Sequence, residues 1–149
     1  MRALFASLLL ATSLFAGPKV GEPFPETVLP DQYDKEQRVT ATDLIVLISF
    51  EKDVSGAIND YLKTKPTNFM DLYRIKYISD ISPMPTIITK MFALPKMRDY
   101  HYPVMLIYDD SGEKYDKREG MVTVYRLDNG ILKSVDFIAP DALPKLFGE

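Results

Sequence analysis

The chain has no cysteine and no tryptophan, and only one histidine, in 149 residues. Without cysteine no residue can form a thiolate or a disulfide, so thiol redox chemistry is excluded by composition. One histidine and no cysteine also leave no ligand set for a structural zinc or iron site, and neither metal nor cofactor is expected. The net charge is −3, with no cluster of five or more lysines and arginines. That balance gives no field to attract nucleic acid, which is rejected as a partner. Only one long apolar run occurs, at the very start, so nothing further along spans a bilayer.

That first run is a leader by its construction. Met1-Arg2 carries one positive charge, residues 3–15 hold neither charge nor proline, and Ala16-Gly17-Pro18 closes the run with small and helix-breaking residues. These are the three zones of a secretory signal peptide at 1–16, with cleavage after Ala16 or after Ser13. The run is shorter than the roughly 20 residues that anchor a helix in a bilayer. A periplasmic or secreted protein is expected, monomeric and not membrane-spanning after cleavage. Its folded part, 17–149, is long enough for one domain that hides roughly two-thirds of its unfolded surface.

Along that domain, Pro18, Pro23 and Pro25 keep the entry extended. Thr27-Val28-Leu29 and Arg38-Val39-Thr40 flank a polar turn and predict a β-ribbon. Residues 44–50 are apolar on both faces, as in a central strand. Residues 55–63 follow helical spacing through Ile58, Tyr61 and Leu62, and Pro66 ends the helix. Alternation over 72–79 predicts a second strand. Residues 83–98 read as a helix with Ile87, Ile88, Met91, Phe92 and Leu94 on its apolar side and a kink or break at Pro95. Residues 103–108 are extended, 109–112 turn, and 113–119 hold one or two helical turns. Residues 122–127 and 131–137 flank Asp128-Asn129-Gly130, the strongest hairpin signal in the chain. A short helix closes the sequence at 142–147. Strand, helix, strand, helix, hairpin, helix describes an α/β mixed sheet with helices on both faces.

Four segments in this order resemble the thioredoxin-like superfamily, in its peroxiredoxin/TlpA branch. Val20-Gly21-Glu22-Pro23-Phe24-Pro25 resembles the family's opening, and residues 44–50 its first core strand. Tyr102-Pro103-Val104-Met105 resembles the segment before its acidic turn, and residues 120–130 the stretch that carries its cis-proline. Within the branch the chain is most similar to YtfJ-type exported proteins. The resemblance implies a thioredoxin-like three-layer sandwich with a mixed central sheet and an N-terminal β-ribbon. It places Ser55 and Ile58 where the catalytic cysteines stand, and Val122 where the cis-proline stands. A cis bond before a non-proline residue costs about 2.5–4 kcal/mol, so a trans Met121–Val122 bond is expected. A second register puts Pro103 in the cis-proline position; neither register restores a cysteine.

Candidate residues fall into two groups. Lys52, Asp53, Ser55, Val122 and Thr123 form the vestigial active-site mouth, a candidate binding site. Ser55 is read there as a helix cap, worth about 1 kcal/mol, and Asp53 as favoured by the helix dipole. Met91, Phe92, Tyr100 and Tyr102 form a candidate partner face on and beyond the Met-rich helix, where core packing is the ordinary alternative. No catalytic residue is assigned. A serine nucleophile at Ser55 would need a base, and His101 is the only histidine. Asp109, Asp110 and Glu113 lack the spacing of a calcium loop. The expected function is a redox-inactive binding or accessory module for an envelope protein or peptide. The competing reading is a hydrolase-like, non-thiol enzyme working at Ser55.

Overall fold

Strand β3 (Ile45–Ser49) is buried along its whole length and lies at the centre of a five-stranded sheet. Its β-branched and leucine side chains serve two cores at once: Ile45 and Leu47 point to one face, Val46 and Ile48 to the other. The computed structural model describes residues 17–149, and the leader read at 1–16 lies outside them.

Before β3 come β1 (Val28–Pro30) and β2 (Glu36–Arg38), an antiparallel ribbon with Val28 opposite Arg38, as the sequence predicts. After it come α1 (Lys52–Lys63), α2 (Phe69–Tyr73), β4 (Ile75–Asp80), α3 (Thr86–Ile88), α4 (Leu94–Met97), β5 (Met105–Ile107), β6 (Val122–Asp128), β7 (Ile131–Ile138) and α5 (Leu143–Leu146). The order across the sheet is β5-β4-β3-β6-β7; β4 and β5 run parallel to β3, and β6 and β7 complete it antiparallel. The expected mixed sheet is therefore observed. The β6–β7 turn is a tight one, with Asn129 at φ 49° and Gly130 at φ 80°. Two successive positive φ values are what Asn-Gly supplies at low cost.

The two faces are covered differently. On one, Val54, Ile58 and Leu62 of α1 pack with Phe69 and Met70 of α2, Met97 of α4 and Leu143 of α5. On the other, Phe24, Leu29 and Val39 from the entry and ribbon close over Tyr115 and Tyr125, beside a 3-10 turn at Asp110–Lys114. Phe24 meets Tyr125 edge-on at 5.1 Å between ring centroids.

Four local readings change, the first being the helical turns expected over 113–119, which form instead as the 3-10 turn at Asp110–Lys114, with Tyr115 already extended. The strand expected over 72–79 begins only at Ile75: Leu72 and Tyr73 end α2, and Arg74 turns the chain at φ 52°. Helix α1 begins at Lys52 rather than Ser55, with Glu51 in the capping position. The helix expected over 83–98 runs 86–97, and its middle, Thr89–Ala93, is a π turn between α3 and α4. Pro95 has no N–H for the preceding turn, and the widened turn next to it lets the helix continue instead of breaking.

Candidate functional site

Ser49 ends β3 and Ser79 lies opposite it on β4, in register and on the face that α1 covers. Ser55, the fourth residue of α1, reaches down between them. Its hydroxyl shares hydrogen bonds of 2.6 Å with Ser49 and 3.1 Å with Ser79, and Ser49 and Ser79 are themselves 3.3 Å apart. The Tyr77 hydroxyl closes the cluster at 3.3 Å from Ser49. Tyr77 is fully buried, and that burial pushes its phenol pKa up, against the opposing effect of the serine hydrogen bonds. Ser55 is therefore not a helix cap. Glu51 occupies that position, so the Ser55 side chain is free to bond inward.

Above this hydroxyl floor opens a groove of about 550 Å³. Lys52, Ser55 and Asn59 of α1 line one side, Ser79 the bottom, and Ile88 and Phe92 of the 86–97 helix the other side. Phe92 is 63% exposed. The carboxylates at the rim are both engaged by the chain's own donors: Glu51 accepts from the Gly120 N–H, and Asp80 accepts from the Ser82 N–H and hydroxyl. Among the described residues Lys52 and Lys96 of the same groove have no ion-pair partner.

The groove joins residues from both candidate groups, but not all of them. Lys52 and Ser55 line it, as do Phe92 and Tyr100. Asp53 is exposed in the first turn of α1 and outside the groove. Val122 and Thr123 are buried completely, because β6 lies between β3 and β7. Val122 packs in the core and the Thr123 hydroxyl donates to the Asp116 carbonyl at 2.8 Å. Neither presents a side chain at the mouth. The Met121–Val122 bond is trans, as expected, and so is every described peptide bond, including the one before Pro103.

Met91 is exposed on the 86–97 helix but does not line the groove. Tyr102 leaves the proposed partner face altogether: it is 4% exposed, and its hydroxyl donates to Asn59 Oδ1 at 2.8 Å. A phenol with a buried acceptor in reach is more stable inside than out. Tyr100 stacks on it at 5.2 Å and carries Lys63 over its ring.

Several contributors have no signal in the sequence. Ser49, Ser79 and Tyr77 meet Ser55 only through the β3–β4 register. Gln32, read as part of a polar turn, is completely buried; its amide donates to the Met97 and Tyr102 carbonyls and accepts from the Val104 N–H at 2.8 Å. It ties the ribbon to the end of the groove wall.

The arrangement offers hydrogen bonds and apolar contact but no activated nucleophile. Ser55 bonds only to hydroxyls, with no histidine or carboxylate against it; His101 is exposed and packs edge-on to Tyr102. Among the described residues no three histidine, aspartate or glutamate side chains gather as a metal site.

The sheet order and the helices packed on it define this protein's fold as thioredoxin-like. Its structure is similar to the peroxidoxin BcpB of Mycobacterium tuberculosis (TM-score 0.56, 15% identity, 87% of this chain and 93% of that one). It is also similar to the thioredoxin domain of a thiol-disulfide oxidoreductase from Bacteroides vulgatus (TM-score 0.55, 14% identity, 87% and 96%). A thiol peroxidase from Chromobacterium violaceum matches with a TM-score of 0.52 at 13% identity, over 89% and 87%. At such identities the likeness is one of fold. No protein-family model matches the chain, and no curated protein matches it in sequence. The neighbours named are redox proteins; this chain has their fold and no sulfur nucleophile.

Proposed function

We propose that this is an exported, redox-inactive thioredoxin-fold protein of the YtfJ type that acts by binding. Its ligand is an envelope protein or peptide, seated in the groove between α1 and the 86–97 helix. One observation carries the reading: where a redox relative would hold thiols, a mutually bonded serine–tyrosine floor lies under a groove with exposed apolar side chains. A site that keeps its concavity while its polar groups satisfy each other is suited to contact, not to turnover. The leader at 1–16 supports export, and fractionation of cells carrying the full chain tests that part directly.

The groove itself is tested by filling it. Gly56 lines it, and a Cβ added there meets nothing within 4 Å, so a side chain can start from this position without a backbone clash, and the fold of Gly56→Tyr is checked by circular dichroism. Polypeptides cross-linked from Lys52 in the envelope fraction are purified, and their affinity for wild type and Gly56→Tyr is compared. A loss of about ten-fold or more is expected, equivalent to about 1.4 kcal/mol. Equal affinity removes the groove as the site. Labelling by a serine-directed probe that Ser55→Ala abolishes would establish the enzymatic reading in its place.

A further inference from the structure

Ile87 and Met91 are the two most exposed large apolar side chains of the 86–97 helix, at 67% and 65%, and neither lines the groove. They stand one turn apart on the crest of that helix, beside Ile88 and Phe92, and the binding reading of the groove does not use them. A cation flanks each side of the crest: Lys96 on the groove side, and Lys90 on the side of a second cavity that also holds Arg98. Residues 83–98 carry three basic side chains and no acidic one, in a chain whose net charge is −3.

We infer that this crest docks on a lipid surface bearing anionic headgroups, with Ile87 and Met91 inserted among the acyl-chain ends and Lys90 and Lys96 reaching the phosphates. An apolar stripe with lysines on both flanks is the layout of an interfacial helix. The long lysine stems let their ammonium groups rise to headgroup level while the crest sinks.

Two other occupants fit less well. A second copy would bring the same cations together with no carboxylate in the segment to meet them. A folded protein partner needs a matched surface of about 800 Å², whereas the crest is four side chains on one short, protruding helix. A fluid bilayer needs no such match. The helix is short, and no described helix is long and apolar enough to cross a membrane, so the contact is peripheral.

Sedimentation of the purified protein with vesicles provides the test. Vesicles of phosphatidylcholine with about one-third phosphatidylglycerol are compared with pure phosphatidylcholine; each lysine near an anionic surface strengthens binding about five-fold. Binding to the anionic vesicles is expected to exceed that to the neutral ones by at least about ten-fold at low salt, and to fall in 1 M salt. Ile87→Ser/Met91→Ser, whose fold is checked by circular dichroism, is expected to lose about ten-fold or more. Lys90→Glu is expected to lose at least about five-fold, and Gly56→Tyr to bind vesicles as wild type does, which separates this surface from the groove. Equal binding to both vesicle types overturns the inference, as does unchanged binding by the serine double variant. Specific capture of a protein at Met91 with no vesicle binding overturns it too, in favour of a protein partner.

Discussion

Helix α1 and the 86–97 helix border the same groove but hold their places by different means. α1 sends Val54, Ile58 and Leu62 into the core, all but fully buried, and its Ser55 is bonded to two strands. The 86–97 helix buries Thr89 and Met97, and turns Ile87, Ile88, Met91 and Phe92 to solvent. One side of the groove is thus a load of packed apolar surface; the other is held by Thr89 midway and at its C-terminal end, where Met97 enters the core and Gln32 bonds to the Met97 carbonyl. Apolar side chains left outside contribute little to folding, and on this helix they form the surface that the proposed contacts use. A wall with few buried contacts also belongs to the low-stability part of a fold, where contact surfaces that adjust are found.

The largest expected effect separates the two helices by substitution. Ile58→Ala removes a fully buried side chain from α1 and is expected to lower stability by about 2–5 kcal/mol in urea unfolding. Met91→Ala on the exposed crest is expected to stay within about 0.5 kcal/mol of wild type. A cost above about 2 kcal/mol for Met91→Ala would mean that the crest is packed within the protein, and the comparison would fail.

Alkali distinguishes them next. Tyr77 beneath α1 is neutral when protonated, and burial raises its folded pKa above the ordinary 10.0. As pH rises past about 10 the unfolded chain gives up this proton first. The stability present below that pH is therefore lost progressively toward the folded pKa, by about 1.4 kcal/mol per pH unit for one such group. Tyr102 and Tyr125 are shifted upward by burial in the same way and add to the slope. Tyr77→Phe is expected to flatten the alkaline limb of urea midpoint against pH by one group's share. Met91→Ala, on the exposed wall and without a titratable group, is expected to leave that limb unchanged. An alkaline slope identical in wild type and Tyr77→Phe would show that the floor opens to solvent before the domain unfolds.

The same contrast explains what the sequence made legible. Residues whose environment is set by neighbours in the chain were readable: β3 from its apolar run, the β6–β7 hairpin from Asn129-Gly130, and the trans Met121–Val122 bond from the cost of the alternative. Residues whose environment is set by register were not. Nothing local announces that Ser49, Tyr77 and Ser79 converge on Ser55, because the three lie on two strands that meet only in the sheet. Tyr102 looked like surface because Tyr-His-Tyr before a proline reads as a loop, yet Asn59 one helix away supplies the acceptor that draws it inside. The apolar positions of 83–98 were visible as a stripe; which way the stripe faces depends on Met97 and Thr89, which anchor the helix from its other side.

The smallest effect tests how each helix begins. α1 has Asp53 in its first turn, where a carboxylate meets the unpaired N–H groups and the positive end of the dipole; α3 has no acidic residue there. Asp53→Asn keeps the size and removes the charge, so it isolates that interaction. A fall in Tm of roughly 1–3 °C is expected at low ionic strength. At 1 M salt the difference should shrink, because the Debye length falls to about 3 Å and the exposed carboxylate is screened. A loss that persists in salt would mean that Asp53 acts through a hydrogen bond or a packed contact. α1 would then be fastened at its N-terminus by more than Glu51 and Ser55, and the two helices would differ in anchoring at their starts as well as along their buried faces.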